Sequence, residues 1–150
     1  MLVGVASGVF CGWWGDVIMC AINDADPPTV SSNKWVRARI PHKCAECGRP
    51  ISVGERYNYA FMVYEGIAYS FRTCEHCMTA TGWLKKVCGG WLHEGLAEEI
   101  AEHAEEYPEC APGLLRIAVG MRRKWRRFDG AGSLPLPRMP RLPAVMVGVV

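Results

Sequence analysis

Residues 44–77 read CAECGRPISVGERYNYAFMVYEGIAYSFRTCEHC, and this stretch decides the fold. It opens on Cys44-Ala-Glu-Cys47 and closes on Cys74-Glu-His-Cys77, with 26 residues between the pairs. C-x-x-C spacing lets two thiolates reach one metal ion. Two such pairs complete the tetrahedral sulfur shell that Zn²⁺ prefers. One structural zinc on Cys44, Cys47, Cys74 and Cys77 is the expectation. Four thiolates leave no coordination position open to water, which disfavours a catalytic metal.

The residues between the pairs say how they are brought together. Gly48 and Pro50 follow the first pair and suit a tight knuckle. Tyr57, Tyr59, Phe61 and Val63 alternate with Asn58, Ala60, Met62 and Tyr64, which predicts a strand over 55–64. Glu65-Gly66 suits a two-residue turn, and 67–73 returns as a second strand. A helix starts at Thr73 or Cys74, with Cys77, Leu84 and Cys88 on one face, and Gly89-Gly90 ends it. A helix N-terminus offers unpaired N–H groups and a positive dipole end, both of which stabilise thiolate. Knuckle, hairpin, then helix is the layout of a treble-clef zinc module, expected over 41–88.

Outward from this module, a helix is predicted over 92–107 with Leu92, Leu96, Ile100, Ala104 and Tyr107 as its apolar stripe. Pro108 stops it. Another follows over 113–127, with Leu114, Ile117, Ala118, Met121, Trp125 and Phe128 as its stripe. The fold class is therefore α+β, a treble clef followed by an antiparallel helix pair at 89–128. On the other side, residues 19–40 read as an extended arm, with a short strand at 35–40. Residues 129–150 are Gly/Pro-rich and read as a polyproline-like or disordered tail.

Net charge is only +2, but it is segregated. Residues 34–56 hold six Lys/Arg against Glu46 and Glu55. Residues 94–109 hold seven Glu and no Lys or Arg, and 116–127 hold six Lys/Arg and no acid. Eight Cys would suit a secreted disulfide framework, but the paired spacing reads as metal binding in a reducing compartment. The first 22 residues are apolar with only Asp16 charged. They lack the basic flank of a signal peptide and are too broken for a spanning helix. Residues 1–18 are expected to be a non-native or disordered extension, with translation starting at Met19.

The chain also resembles a known group. Asp26-Pro27-Pro28, Arg37-Ala38-Arg39, His42-Lys43-Cys44, Glu46-Cys47-Gly48, Ile51, Gly54-Glu55-Arg56-Tyr57 and Phe71-Arg72-Thr73-Cys74 with Cys77 carry the likeness. Residues 19–127 resemble small treble-clef zinc proteins encoded by bacteriophages and prophages. The resemblance implies a Cys44/Cys47/Cys74/Cys77 zinc site and a bacterial cytoplasmic setting. It implies no activity.

Function must then lie on surfaces. No His or Asp occurs in 55–73, so the histidine-bearing hairpin of treble-clef nucleases is missing. Neither a nucleophile elbow nor a phosphate-binding glycine loop is present, and no enzyme is expected. The first reading is a macromolecular interaction module, a phage accessory protein binding a host or phage protein complex through hairpin aromatics, the acidic helix face or the tail. The alternative is a nucleic-acid binder using Arg37, Arg39 and Lys43 on the arm at 34–43 and Arg122, Arg123, Arg126 and Arg127 on a basic helix over 116–127. Against that stands a simpler reading, in which the acidic and basic helices pair their charges across a shared rim. His76 is expected to be exposed, His42 is a rival for Cys44, and Cys88, His93, His103 and Cys110 are candidates for a second metal site. No membrane or small-molecule substrate is expected.

Overall fold

The computed structural model describes residues 28–127, 129–130 and 132–144. The Met19 start, the 1–18 extension and Phe128 lie outside the described residues. The chain is α+β. Strands β1 (Val30–Arg37), β4 (Arg56–Tyr64) and β5 (Ile67–Cys74) form an antiparallel sheet in the order β1-β4-β5. Two short strands, β2 (His42–Lys43) and β3 (Pro50–Ile51), pair separately. Helices α1 (Glu75–Cys88), α2 (Leu96–Glu106) and α3 (Ala111–Arg122) follow.

The β4–β5 hairpin turns on Glu65 and Gly66, both at positive φ (48° and 78°), which matches the right-handed twist of the strands. Its register pairs Tyr64 with Ile67 and Tyr57 with Cys74. The strand expected at 35–40 is instead β1, running from Val30 and paired with β4 along its whole length, Val30 with Val63 through Arg37 with Arg56. Ser31, Ser32, Asn33 and Lys34 hide this strand from a search for apolar alternation. It is an edge strand whose side chains are mostly exposed, so its sequence needs no buried face.

Cys74 ends β5 and is the N-cap of α1, so strand and helix meet at a ligand candidate. Gly89 closes α1 in the left-handed conformation (φ 87°), as its sequence suggests. Ala80, Leu84 and Val87 on α1, Leu96 and Ile100 on α2, and Leu114, Ile117 and Met121 on α3 share one core with Cys44, Ile51, Tyr57, Cys74 and Cys77. Each fully buried Leu or Ile in it contributes about 1.5–3 kcal/mol. Metal candidate and core are thus continuous.

Both later helices are shorter than expected. Residues 92–95 form a turn, with Glu94 at φ 69°, and α2 begins at Leu96. The basic helix expected over 116–127 ends at Arg122, which corrects the face assignments drawn from helical spacing. Lys124 and Trp125 both take positive φ (54° and 55°), and the Trp125 N–H donates to the Gly120 carbonyl at 2.8 Å. This reversal lays the indole on Gly120, where a Cβ would come within 2.3 Å of the ring.

Of the two readings of the tail, polyproline-like or disordered, residues 133–144 depart from the second: they form no helix or strand over 134–143 but dock on the rest of the chain. Ser133 bridges to Arg126, and the Leu134 N–H donates to the Trp125 carbonyl. Met139 and Leu142 pack on the core and Pro143 is fully buried. The Cys110 thiol donates to the Arg141 carbonyl at 3.3 Å. Proline removes backbone donors but leaves ring surface to bury, so this strap docks mainly by side chains and carbonyls.

Candidate metal centre

The knuckle is built from the β2–β3 pair. The Cys44 N–H donates to the Arg49 carbonyl (2.9 Å) and the Gly48 N–H to the Cys44 carbonyl (3.0 Å). Gly48 supplies the positive φ of 68° that closes the turn. An Ala45 N–H bond to the Arg72 carbonyl (2.8 Å) fastens the knuckle to β5, one residue from Thr73-Cys74. The second pair comes from the β5–α1 junction, Cys74 as N-cap and Cys77 in the first turn.

These elements bring the four thiols together. The Sγ atoms of Cys44, Cys47, Cys74 and Cys77 lie within 4.8 Å of one another, and no disulfide joins them. Cys47 Sγ and Cys74 Sγ are 3.8 Å apart. A tetrahedron with metal–sulfur bonds of about 2.3 Å has S···S edges of about 3.8 Å, so the spacing fits a four-thiolate ion. A disulfide needs about 2.05 Å. The Cys74 N–H donates to Cys44 Sγ at 3.3 Å, a contact that favours thiolate. Without a cation the four groups compete for charge. Cys44 is held below the usual thiol range, first by its hydrogen bond with Cys47, and Cys74 is held below it by Cys44. Contact with Cys44 pushes both Cys47 and Cys77 up. A bound divalent cation would let all four ionise.

Each ligand loop also carries a clamp. Glu46, between the first pair, has a buried carboxylate that accepts from Trp91 Nε1 (3.1 Å), the Glu94 N–H (3.0 Å) and the Leu96 N–H (3.1 Å). Burial raises its pKa despite these bonds. His76, between the second pair, was expected at the surface and is buried instead. Its Nε2–H donates to the Leu134 carbonyl at 2.6 Å, and its ring stacks on Trp125. Nothing in the sequence points from Glu46 to a helix 50 residues away, or from His76 to the strap.

The rival and second-site candidates do not assemble. His42 packs on Tyr57, with ring centroids 5.3 Å apart. His93 stacks on Phe71 at 4.2 Å. Cys88 donates to the Gly90 carbonyl and touches His103, while Cys110 meets Arg141. Among the described residues the four-cysteine group is the one set of three or more His, Cys, Asp or Glu side chains that could hold a metal ion.

Arg37 donates to the Gly54 carbonyl at 3.0 Å, and Arg39 and Lys43 are exposed. Arg122, Arg126 and Arg127 are exposed, while Arg123 caps α3 and is half-buried. No ion pair links Glu98, Glu102, Glu105 or Glu106 of α2 to Arg116 or Arg122 of α3 among the described residues. Ion pairs form elsewhere, Arg49 with Glu55 and Arg56 with Glu75.

No family model, curated protein or solved structure matches the chain. No helix among the described residues is long and apolar enough to cross a membrane.

Proposed function

We propose that this chain is a non-enzymatic structural-zinc protein with a treble-clef core, acting as a macromolecular interaction module. One observation carries the reading. Four cysteine sulfurs from a knuckle and a helix start converge within 4.8 Å of one another, close enough to share one ion, and four thiolates on Zn²⁺ would leave no site for a reacting water. Hairpin β4–β5 links the knuckle to α1, in treble-clef order. Two clamps, Glu46 holding the start of α2 and His76 holding the strap, tie the peripheral elements to the ligand loops. The metal would then organise the described helices and strap and not just its own knuckle.

A partner protein has a surface to meet. The outer end of the hairpin extends past the core, exposing Ile67 and Tyr69 beside the half-buried Met62 and Tyr64 on one face. The resemblance to phage and prophage proteins supports an accessory role in the bacterial cytoplasm, on a host or phage complex. Metal analysis of protein purified without added metal tests the core of this reading. One zinc per chain is expected, with loss of far-UV and near-UV circular dichroism on chelation. Unchanged spectra after complete zinc removal would show that the metal does not hold the fold.

A further inference from the structure

Lys43 and Lys124, 81 positions apart in the sequence, meet at the knuckle. A methyl group built on Gly48 would lie 3.4 Å from Lys43 Cε and 3.9 Å from Lys124 Cε. The two lysine stems therefore converge over one glycine, and both side chains are exposed. Lys124 is carried there by the left-handed reversal after α3, an uncommon conformation for a non-glycine residue. Beside them a cleft of about 350 Å³ is lined by Lys43, Gly48, Ser70, Arg72 and Glu94, among others. Arg72 Nε is buried and has no hydrogen-bond partner. Further along the same sheet face, Tyr59 lies between Arg72 (5.6 Å to the ring centroid) and Lys34 (5.7 Å).

Lys34, Lys43, Arg72 and Lys124 share a further property. None has a carboxylate partner among the described residues, whereas Arg49 and Arg56 do. A row of unpaired cations around a cleft suits a chain of phosphates. The Tyr59 ring already has cations placed over it, so it is a poor platform for stacking a base. With no base reader at hand, the surface suits backbone contact and not sequence.

We propose that Lys34, Lys43, Arg72 and Lys124 form a sequence-independent site for the phosphodiester backbone of a nucleic acid, laid across the knuckle. The site rests on the zinc-module reading, because the metal holds the shape of the knuckle that carries Lys43 and Gly48. A plainer role for the four cations is to balance the charge of a four-thiolate zinc centre, about −2 by simple count. The two roles differ in what neutralisation changes. Charge balance would show in zinc retention, and backbone binding in affinity and its salt dependence.

The test uses the full chain, labelled random-sequence duplex DNA, single-stranded DNA and single-stranded RNA, and fluorescence anisotropy from low salt upward. About four phosphate contacts on a duplex predict an affinity that falls roughly 100-fold between 50 and 200 mM salt. In the K43Q/K124Q double variant the logarithmic salt slope should drop by about 2, with zinc content and circular dichroism unchanged. K85Q/K86Q, the same charge change on α1, should bind like the parent. Zinc-loaded, folded protein that binds none of the three at low salt would overturn the site. So would equal loss of binding in both double variants, or a K43Q/K124Q variant that binds like the parent. Binding of anionic vesicles or polyglutamate with the same lysine dependence, and no nucleic acid, would overturn it too. Protein that lacks zinc when purified would instead overturn the reading on which the site rests.

Discussion

The Glu46 carboxylate accepts a hydrogen bond from the Leu96 N–H at 3.1 Å, so a residue inside the first C-x-x-C pair caps a helix 50 positions further on. Gly95, the N-cap of α2, has no side chain to do this. Glu46 also satisfies Trp91 Nε1 and the Glu94 N–H, so one buried carboxylate serves three donors. Truncating it strands all three. Glu46→Ala should cost about 3 kcal/mol in denaturant unfolding, with amide exchange in α2 accelerated more than in α1. Glu46→Gln keeps one oxygen acceptor and should recover part of the loss. Equal protection of α2 in parent and alanine variant would show that the cap is not needed.

Gly120 and Trp125 make a second constraint, of shape and not charge. The helix must present bare backbone where the indole lies, since a Cβ there would meet Trp125 Cζ3 at 2.3 Å. In an exposed helix Gly→Ala stabilises, by up to about 1 kcal/mol. Here overpacking of about 1–3 kcal/mol should dominate, and Gly120→Ala should lower the melting temperature. A stabilised variant would mean that the reversal after α3 is not held in place.

Glu99 and His103 both hold their protons more tightly when folded. Burial raises Glu99, and Glu102 adds repulsion. For His103 burial acts downward, but the hydrogen bonds with the Cys88 thiol and the Glu99 carbonyl, together with Glu106, reverse it. A raised folded pKa means that the folded state binds more protons, so this stability falls as pH rises. For Glu99 the loss begins above 4.5, the usual carboxyl value, and for His103 above 6.5. Urea midpoints of the zinc-loaded protein at pH 6, 7 and 8 should decline more steeply in the parent than in His103→Gln. A steeper decline in the variant would reverse the sign assigned to His103.

The strap makes a separate prediction. Pro143 is fully buried, and Leu134 joins His76 to Trp125 through its backbone. Removing residues 133–150 should lower stability by several kcal/mol and expose the Trp125 indole to a polar quencher. Pro143→Asp, which buries a charge without shortening the chain, should do most of the same damage. A truncated protein that melts like the parent would restore the picture of a tail without contacts.

What the sequence showed and what it hid divide along physical lines. The hairpin was legible because period-two alternation and Glu65-Gly66 are local signals. The end of α1 was legible from Gly89 in the same way. The four cysteines could be grouped because spacing alone carries metal geometry. Strand β1 was hidden because an edge strand exposed along most of its length has no reason to alternate. Helix α3 was drawn too long because Trp125 keeps helical spacing even though the chain has reversed. The start of α2 depends on Glu46, and the placing of 133–144 depends on Trp125 and His76. Such distant partners leave no trace in local pattern. The same is true of the approach of Lys43 to Lys124: both lie in the basic segments 34–43 and 116–127 read from the sequence, and nothing local shows that these meet over Gly48.

The central claim is that Cys44, Cys47, Cys74 and Cys77 hold one zinc ion and that this ion organises the fold. X-ray absorption at the zinc edge tests it most directly. The account predicts one zinc per chain with four sulfur neighbours at about 2.3 Å. A nitrogen or oxygen neighbour in the first shell, or folded protein without zinc, would contradict it.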